Sequence, residues 1–448
     1  MEEEYTIIRM ILSKICKIGK TVNEVYTRMK QLLWMGFMVL FAFGVCACGN
    51  TQKEENKETA QPTATVSDVL ETSSPTPISS DEAYLQAEKM LAGMTLEQKV
   101  GQMFLVDLYQ LDQKRTLDGA ARKLTANMGK ALRQYNVGGI YLTELNITDK
   151  NQCRQLVDDL QAEAVTGGSL YIAVEEDGGG SNSISAKVAG LNDTGYIAPA
   201  EMAHNMTEQQ VYEAGKKTGS ELTDIGINLN LAPVADIGSE NNPDYAKRCL
   251  GQDAEQVSQI IDGYVRGMRE GGLAVTLKHF PGIGKVAGDY TETVLEQNDS
   301  LMSLRNNNFK GYQSGIQAGA DCVMVGNVSF SEVTVKKIPA FMSQDIVTKL
   351  LRKELKFDGI IMTSPFDDNV IRNNYTYEFA TLEAVKAGCD MIVLPEKFKE
   401  CYHALVSAVK EGKIDERVID TSVYRILQNK IQRGILVPEG TAQESHEQ

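Results

Sequence analysis

Residues 277–291 read LKHFPGIGKVAGDYT, and the interpretation of the whole chain starts from this stretch. The apolar run at 273–277 just before it predicts a β-strand. This strand delivers two side chains with polar heads, Lys278 and His279, and is followed by a Pro-Gly pair, which a strand does not continue through. The sequence therefore places Lys278 and His279 at the carboxyl end of a strand.

Short apolar runs of strand length recur along the chain, and the stretches between them have helical periodicity. Residues 343–355, for example, place apolar side chains on one face of a helix and basic ones on the other. The alternation predicts an α/β fold, a single (β/α)8 barrel of the TIM type over residues 81–436, with an open doubly wound sheet as the alternative. The predicted strands are 102–106, 139–142, 170–174, 228–231, 274–277, 322–325, 360–362 and 391–394.

Composition excludes several classes of function. The chain has 448 residues, of which 42% are hydrophobic, so it can bury a large core. Its formal charge of −15 and its lack of a basic stripe argue against nucleic acid as a partner. The four histidines are scattered and no metal-ligand spacing occurs, so neither a metal nor a cofactor is expected.

The amino-terminal segment has the features of an export signal. An uncharged apolar run at 32–47 follows Arg28 and Lys30 and is shorter than the roughly 20 residues that span a bilayer. It ends in Val-Cys-Ala-Cys, which resembles a lipobox. We therefore predict a lipoprotein signal peptide at 1–47, with Met29 as a possible true start, and lipidation of Cys48 on the outer face of a bacterial membrane. An uncleaved membrane anchor is the alternative.

Two polar segments flank the predicted barrel. Residues 48–80 are rich in Thr, Ser, Pro, Glu and Lys and predict a disordered tether between the lipid and the barrel. Residues 437–448 form a polar tail.

The stretch at 277–291 resembles the signature of glycoside hydrolase family 3, specifically the bacterial β-N-acetylhexosaminidases, in which KHFPGHG is followed after four residues by Asp, one residue and His. The resemblance implies that this last Asp and His form the acid/base dyad. Here Asp289 keeps its place, but Ile283 and Thr291 stand where the family has its two histidines. Without its histidine, Asp289 is expected to cap its own loop. Further similarities to the family lie at residues 94–102, 175–179, 228–237, 245–251, 357–363 and 385–390.

The resemblance also implies that a second catalytic position is lost. The family's nucleophile is the first Asp of a T-D-D or S-D-D run after the seventh strand, and Ser364 stands there in this chain. A serine hydroxyl is neutral at pH 7 and has no adjacent base, and the Thr291 hydroxyl cannot protonate a leaving sugar oxygen. Possible substitutes are Glu292 as acid/base and Asp367 or Glu176 as nucleophile.

The residues expected to hold a sugar are retained. By the family pattern and by their places at strand ends, we predict ligand binding by Glu175, Asp177, Arg248, Lys278 and His279.

Each of these residues also has a purely structural interpretation. Lys278 could form a salt bridge and His279 could be a buried, hydrogen-bonded imidazole. Arg248 could pair with Asp236 or Asp244.

Three hypotheses follow. The favoured one is a lipid-anchored surface protein that binds an N-acetylglucosamine-containing glycan, such as cell-wall carbohydrate, without hydrolysing it. The second is an active β-N-acetylhexosaminidase with relocated catalytic groups. The third is a scaffold lipoprotein that binds no sugar.

Overall fold

The computed structural model of the chain describes residues 80–112, 121–165, 168–178, 183–185, 188, 197–334, 336–366 and 368–438. The predicted signal peptide, Cys48, nearly all of the tether, most of the polar tail and Asp367 lie outside these residues. Within them, no helix combines the length and the apolar character needed to cross a bilayer.

Eight parallel strands form the centre of the fold, in the order β7-β6-β5-β4-β3-β2-β1-β8. β1 pairs with both β2 and β8, and a parallel bridge between Met362 and Met391 links the two edges of the sheet. The predicted TIM-type barrel is therefore confirmed, and every predicted strand overlaps an observed one. The strands are β1 (Phe104–Val106), β2 (Gly139–Tyr141), β3 (Tyr171–Val174), β4 (Leu229–Asn230), β5 (Ala274–Phe280), β6 (Cys322–Val325), β7 (Ile360–Thr363) and β8 (Ile392–Val393).

Helices surround the strands and connect each strand to the next. Before β5 they are α1 (Ser80–Ala92), α2 (Leu96–Gln102), α3 (Leu108–Leu111), α4 (Ala126–Tyr135), α5 (Lys150–Ala162), α6 (Pro199–Asn205), α7 (Glu208–Asp224), α8 (Pro243–Ala246) and α9 (Ala254–Glu270). After β5 they are α10 (Leu301–Asn306), α11 (Asn308–Gln317), a π-helix (Asp345–Glu354), α12 (Asn369–Asn374), α13 (Tyr377–Ala387), α14 (Phe398–Lys410) and α15 (Glu416–Gln432). Two 3-10 turns, Glu144–Asn146 and Ala340–Met342, complete the described elements.

The end of α15 closes the barrel at the amino ends of the strands. The Tyr171 hydroxyl, at the start of β3, donates to Asn429 Oδ1 at 2.6 Å, and Asn429 Nδ2 donates to Asp321 Oδ1 at 2.9 Å, just before β6. Lys430 Nζ donates to Gln102 Oε1 at 2.9 Å, before β1, and lies 5.0 Å from the centre of the Tyr171 ring. This polar plug occupies the amino end, so the carboxyl end is the one left for a site.

Lys430 gives the plug a dependence on pH. Its side chain is fully buried, and burial lowers its pKa to about 7. In the unfolded chain the same amine has a pKa of about 10.4. Between these values the unfolded state binds one more proton than the folded state, so this group makes stability rise with pH.

We therefore expect Lys430→Met to remove this pH dependence. The free energy of unfolding of the wild type, relative to the variant, should rise with pH by up to about 1.4 kcal/mol per pH unit between about pH 7 and 10. Urea unfolding at several pH values measures the difference. Lys413→Met, at an exposed lysine, is the control and should show no such slope. A difference between wild type and Lys430→Met that does not change with pH would contradict the expectation.

Candidate active site

Two cations and two carboxylates meet at the carboxyl end of the barrel. Lys278 near the end of β5 places Nζ 2.6 Å from Glu175 Oε1 and 2.8 Å from Asp177 Oδ1, and both acidic residues follow β3. Arg248, just after α8, places Nη2 2.6 Å from Glu175 Oε1 and Nε 2.9 Å from Asp177 Oδ2. We call these four residues the ion cluster. The pairing of Arg248 differs from the predicted alternative, because its described ion pairs are with Glu175 and Asp177.

Glu175 and Arg248 of the ion cluster stay charged at neutral pH. Burial opposes the charge of Glu175, but Lys278 and Arg248 lower the pKa of its carboxyl group to about 2. Burial likewise opposes the charge of Arg248, and its two carboxylate partners raise its pKa well above the ordinary value. The Lys278 side chain is only 1% exposed. Removal of one member would therefore leave a charge with poor compensation in a site with little water.

His279, next to Lys278, is oriented by a buried carboxylate. Its Nδ1 lies 3.1 Å from Asp236 Oδ2 and 2.9 Å from the Tyr245 hydroxyl. Asp236 also accepts hydrogen bonds from the hydroxyls of Tyr245 and Tyr312 and from the backbone N–H of Ile283. Burial works against the Asp236 charge, but the bonds from His279 and Tyr245 lower its pKa below the ordinary value. Burial lowers the pKa of His279 despite the Asp236 contact, so the imidazole is neutral at pH 7.

The two positions that the family resemblance assigns to catalytic groups carry hydroxyls whose protons are already used. The Ser364 hydroxyl donates to the backbone carbonyl of Val325 at 3.1 Å, and the residue is only 2% exposed. The Thr291 hydroxyl donates to Asp289 Oδ1 at 2.6 Å, and the Thr291 backbone N–H donates to the same oxygen at 2.9 Å. Asp289 thus caps its own loop.

A cavity of about 150 Å³ joins these groups. Six of the predicted site residues line it. Asp177 does not line the cavity, but it contacts Lys278 and Arg248, which do. The lining of the cavity is Tyr141, Glu175, Leu231, Arg248, Lys278, His279, Tyr290, Thr291, Met324, Ser364, Pro365, Asp368 and Leu394.

Two of the suggested substitute carboxylates do not line this cavity. Glu176 is fully buried and accepts hydrogen bonds from the Ser183 hydroxyl and from the backbone N–H groups of Gly178 and Ser185. It therefore holds the loop after β3. Glu292 accepts a hydrogen bond from Asn369 at 2.8 Å on the exposed side of its loop. The third substitute, Asp367, falls in a gap between the described residues.

Seven of the residues that line the cavity were not predicted, among them Asp368 and Tyr290. Asp368, at the start of α12, has its Oδ2 3.1 Å from Asn327 Nδ2, which is a hydrogen bond from the amide to the carboxylate. The Tyr290 hydroxyl accepts a hydrogen bond from Arg248 Nη1 at 3.1 Å. A signal for Asp368 was available, since an acidic residue directly after the Ser364 segment and before a helix often lies at the rim of such a barrel.

The sequence matches the model of the family described as "Glycosyl hydrolase family 3 N terminal domain" over residues 95–429. It is 30% identical over 294 residues to the Beta-hexosaminidase of Stenotrophomonas maltophilia (strain R551-3), covering 64% of this chain and 85% of that protein. It is 24% identical over 366 residues to Beta-hexosaminidase A of Pseudoalteromonas piscicida, covering 75% of this chain and 61% of that protein.

Solved structures agree with these relatives. A glycoside hydrolase family 3 beta-N-acetylglucosaminidase from Paenibacillus sp. str. FPU-7 matches with a TM-score of 0.70 and 30% identity, over 76% of this chain and 63% of that one. A Beta-N-acetylhexosaminidase from Beutenbergia cavernae DSM 12333 matches with a TM-score of 0.64 and 26% identity, over 75% and 98%. This chain thus spans less than two thirds of the Pseudoalteromonas and Paenibacillus proteins. Because the family model covers more than half of the chain, the chain belongs to glycoside hydrolase family 3, and its relatives show that it is a bacterial β-N-acetylhexosaminidase-like protein.

Proposed function

We propose that this chain binds a terminal hexosamine of an N-acetylglucosamine-containing glycan, such as cell-wall carbohydrate, and has lost the family's hydrolysis. The observation that carries the proposal is the set of residues that line one cavity. Lys278, Arg248 and Glu175 line it together with Ser364 and Thr291, so hydrogen-bonding groups suited to sugar hydroxyls remain where the reacting groups are gone.

The chemistry of the cavity supports the loss of hydrolysis. A retaining glycosidase needs a carboxylate about 5 Å from a second group that protonates the leaving oxygen. The hydroxyl of Ser364 is neutral and donates its proton to a backbone carbonyl, and no described hydrogen bond joins it to a base. Thr291 donates to a carboxylate and has no proton of suitable pKa to give.

An active β-N-acetylhexosaminidase is the second candidate, and two observations favour it. The Stenotrophomonas and Beutenbergia relatives are named as beta-hexosaminidases, and Asp368 brings a carboxylate to the cavity that holds Ser364. The scaffold hypothesis remains as the outcome in which no sugar binds. The assays below separate the three.

We also propose export and attachment to the outer face of the membrane through Cys48. This rests on the order of basic residues, apolar run and small residue before a cysteine in the sequence. A lipid anchor would hold the barrel at the cell surface, where cell-wall glycan is available.

Hydrolysis should return when the lost groups are restored. Ser364→Asp should raise turnover of 4-nitrophenyl N-acetyl-β-glucosaminide by at least about tenfold, because this leaving group needs little protonation. Ser364→Asp with Thr291→His should be needed for N,N′-diacetylchitobiose, whose leaving oxygen must be protonated. Release of nitrophenol and of N-acetylglucosamine measures the two reactions. Ser364→Asn, similar in size but uncharged, is the control. Brisk turnover by the wild type would reject the loss of hydrolysis.

Sugar binding should depend on the ion cluster. Lys278→Met should weaken binding of N,N′-diacetylchitobiose by at least about tenfold in titration calorimetry, since a hydrogen bond from a charged group contributes about 1.5–3 kcal/mol. Lys285→Met, at a half-buried lysine paired with Asp299, should not change the affinity.

Lys278→Met also removes one of the two cationic partners of Glu175 and Asp177 and should destabilise the fold by up to about 3–5 kcal/mol. Thermal melting therefore has to accompany the titration. Arg248→Lys, which keeps the charge but loses the two-pronged contact, is the second variant. Absence of binding by folded wild-type protein would favour the scaffold hypothesis.

Lipidation should require one cysteine. In bacteria fed an alkyne-tagged fatty acid, the wild-type chain should carry the tag and partition with the membrane fraction, whereas Cys48→Ser should do neither. Cys46→Ser is the matched control, because that thiol precedes the predicted cleavage point. Tagging that survives Cys48→Ser would rule this site out.

A further inference from the structure

Two hydroxyls that line the cavity, those of Ser364 and Thr291, can act toward a ligand only as hydrogen-bond acceptors. A hydroxyl has a single proton to donate, and both of these have used theirs. Ser364 donates to the Val325 carbonyl and Thr291 donates to Asp289. Toward a ligand, each therefore presents oxygen lone pairs.

Asp368 adds a carboxylate to the same cavity. It lines the cavity beside Ser364, and its Oδ2 accepts a hydrogen bond at 3.1 Å from Asn327, whose side chain is 1% exposed. This contact holds the carboxylate in place. An ionised carboxylate accepts hydrogen bonds and donates none. Asp368, Ser364 and Thr291 together form what we call the acceptor end of the cavity.

The charges around the cavity sum to a negative value. Glu175, Asp177 and Asp368 contribute three negative charges, and Lys278 and Arg248 contribute two positive ones. The neighbouring His279 adds none, because burial lowers its pKa below the ordinary value. A negative potential in a site with little water favours a cationic ligand.

The size of the cavity also favours a sugar with a small substituent. Its volume of about 150 Å³ lies below the range of about 300–1,000 Å³ that is usual for ligand pockets. A sugar with a compact substituent therefore fits better than one with a bulky substituent. An ammonium group is smaller than an acetamido group and brings three donors instead of one.

We propose that the cavity prefers a hexosamine that has lost its acetyl group, and that the acceptor end receives its ammonium. Asp368 supplies the charge, while Ser364 and Thr291 supply further acceptors. This inference rests on the proposed sugar-binding function and narrows its ligand to a de-N-acetylated, cationic amino sugar at the end of a glycan. In this proposal Ser364 and Thr291 take part in ligand recognition.

Titration calorimetry with methyl β-glucosaminide and methyl N-acetyl-β-glucosaminide tests the preference. We expect the wild type to bind the amino sugar at least about tenfold more tightly than the acetylated one. Asp368→Asn, which keeps the shape and removes the charge, should abolish the preference and leave the weaker binding of the acetylated sugar. Asp368→Glu should restore part of it. Asp253→Asn, at the residue that caps the start of α9 and does not line the cavity, is the matched control.

The possible outcomes separate the two proposals. If folded wild-type protein binds neither sugar, the proposed function falls and this inference falls with it. If the acetylated sugar binds as tightly as the amino sugar, or if Asp368→Asn keeps the preference, only the inference is overturned. It is also overturned if Asp368→Asn instead stops hydrolysis of an aryl glucosaminide, because Asp368 would then be a catalytic residue.

Discussion

The ion cluster is the interaction on which the working end of the barrel depends. It joins β5, the loop after β3 and the segment after α8 through contacts of 2.6–2.9 Å, so three parts of the chain distant in sequence are held in one arrangement. The removal of four charges from water is costly, and only mutual pairing offsets that cost. Apolar residues of similar volume can stabilise a buried region at least as well, so the presence of these four charges supports the proposed binding of a ligand.

The proposed loss of hydrolysis is compatible with this arrangement. A carboxylate at position 364 would be a further negative charge in a buried site, whereas Ser364 satisfies its hydroxyl with the Val325 carbonyl. A serine at this position therefore has a lower electrostatic cost than a carboxylate would have. Thr291 is fixed in a similar way by Asp289. Loss of reactivity and gain of stability commonly occur together at active sites, because the groups that react are seldom those that stabilise the fold.

The sequence predicted the barrel well because its signals are local. Apolar runs followed by turns indicate strands, and the carboxyl ends of parallel strands lie at one rim of the barrel. Glu175, Lys278 and Ser364 were therefore predicted to lie close together, and all three line the cavity. Contacts between loops were not predictable in this way. Glu176 was considered as a nucleophile, but it does not line the cavity and accepts a hydrogen bond from Ser183, seven residues further along the chain. Asp368 was missed because it enters the cavity from the start of a helix and not from a strand end.

In the proposed function, binding and reaction depend on different parts of the chain. Binding would rest on residues after β3, near the end of β5 and after α8, whereas Thr291 and Ser364, the positions that the family resemblance assigns to reacting groups, lie in the loops after β5 and β7. The members of the ion cluster hold one another before any ligand arrives, so a sugar meets groups already in position and little free energy is lost in ordering them. That preorganisation does not depend on position 364 or 291. Substitutions in these two loops can therefore remove the reaction while binding of the sugar ring is maintained. They can also change which substituent on the sugar the cavity prefers.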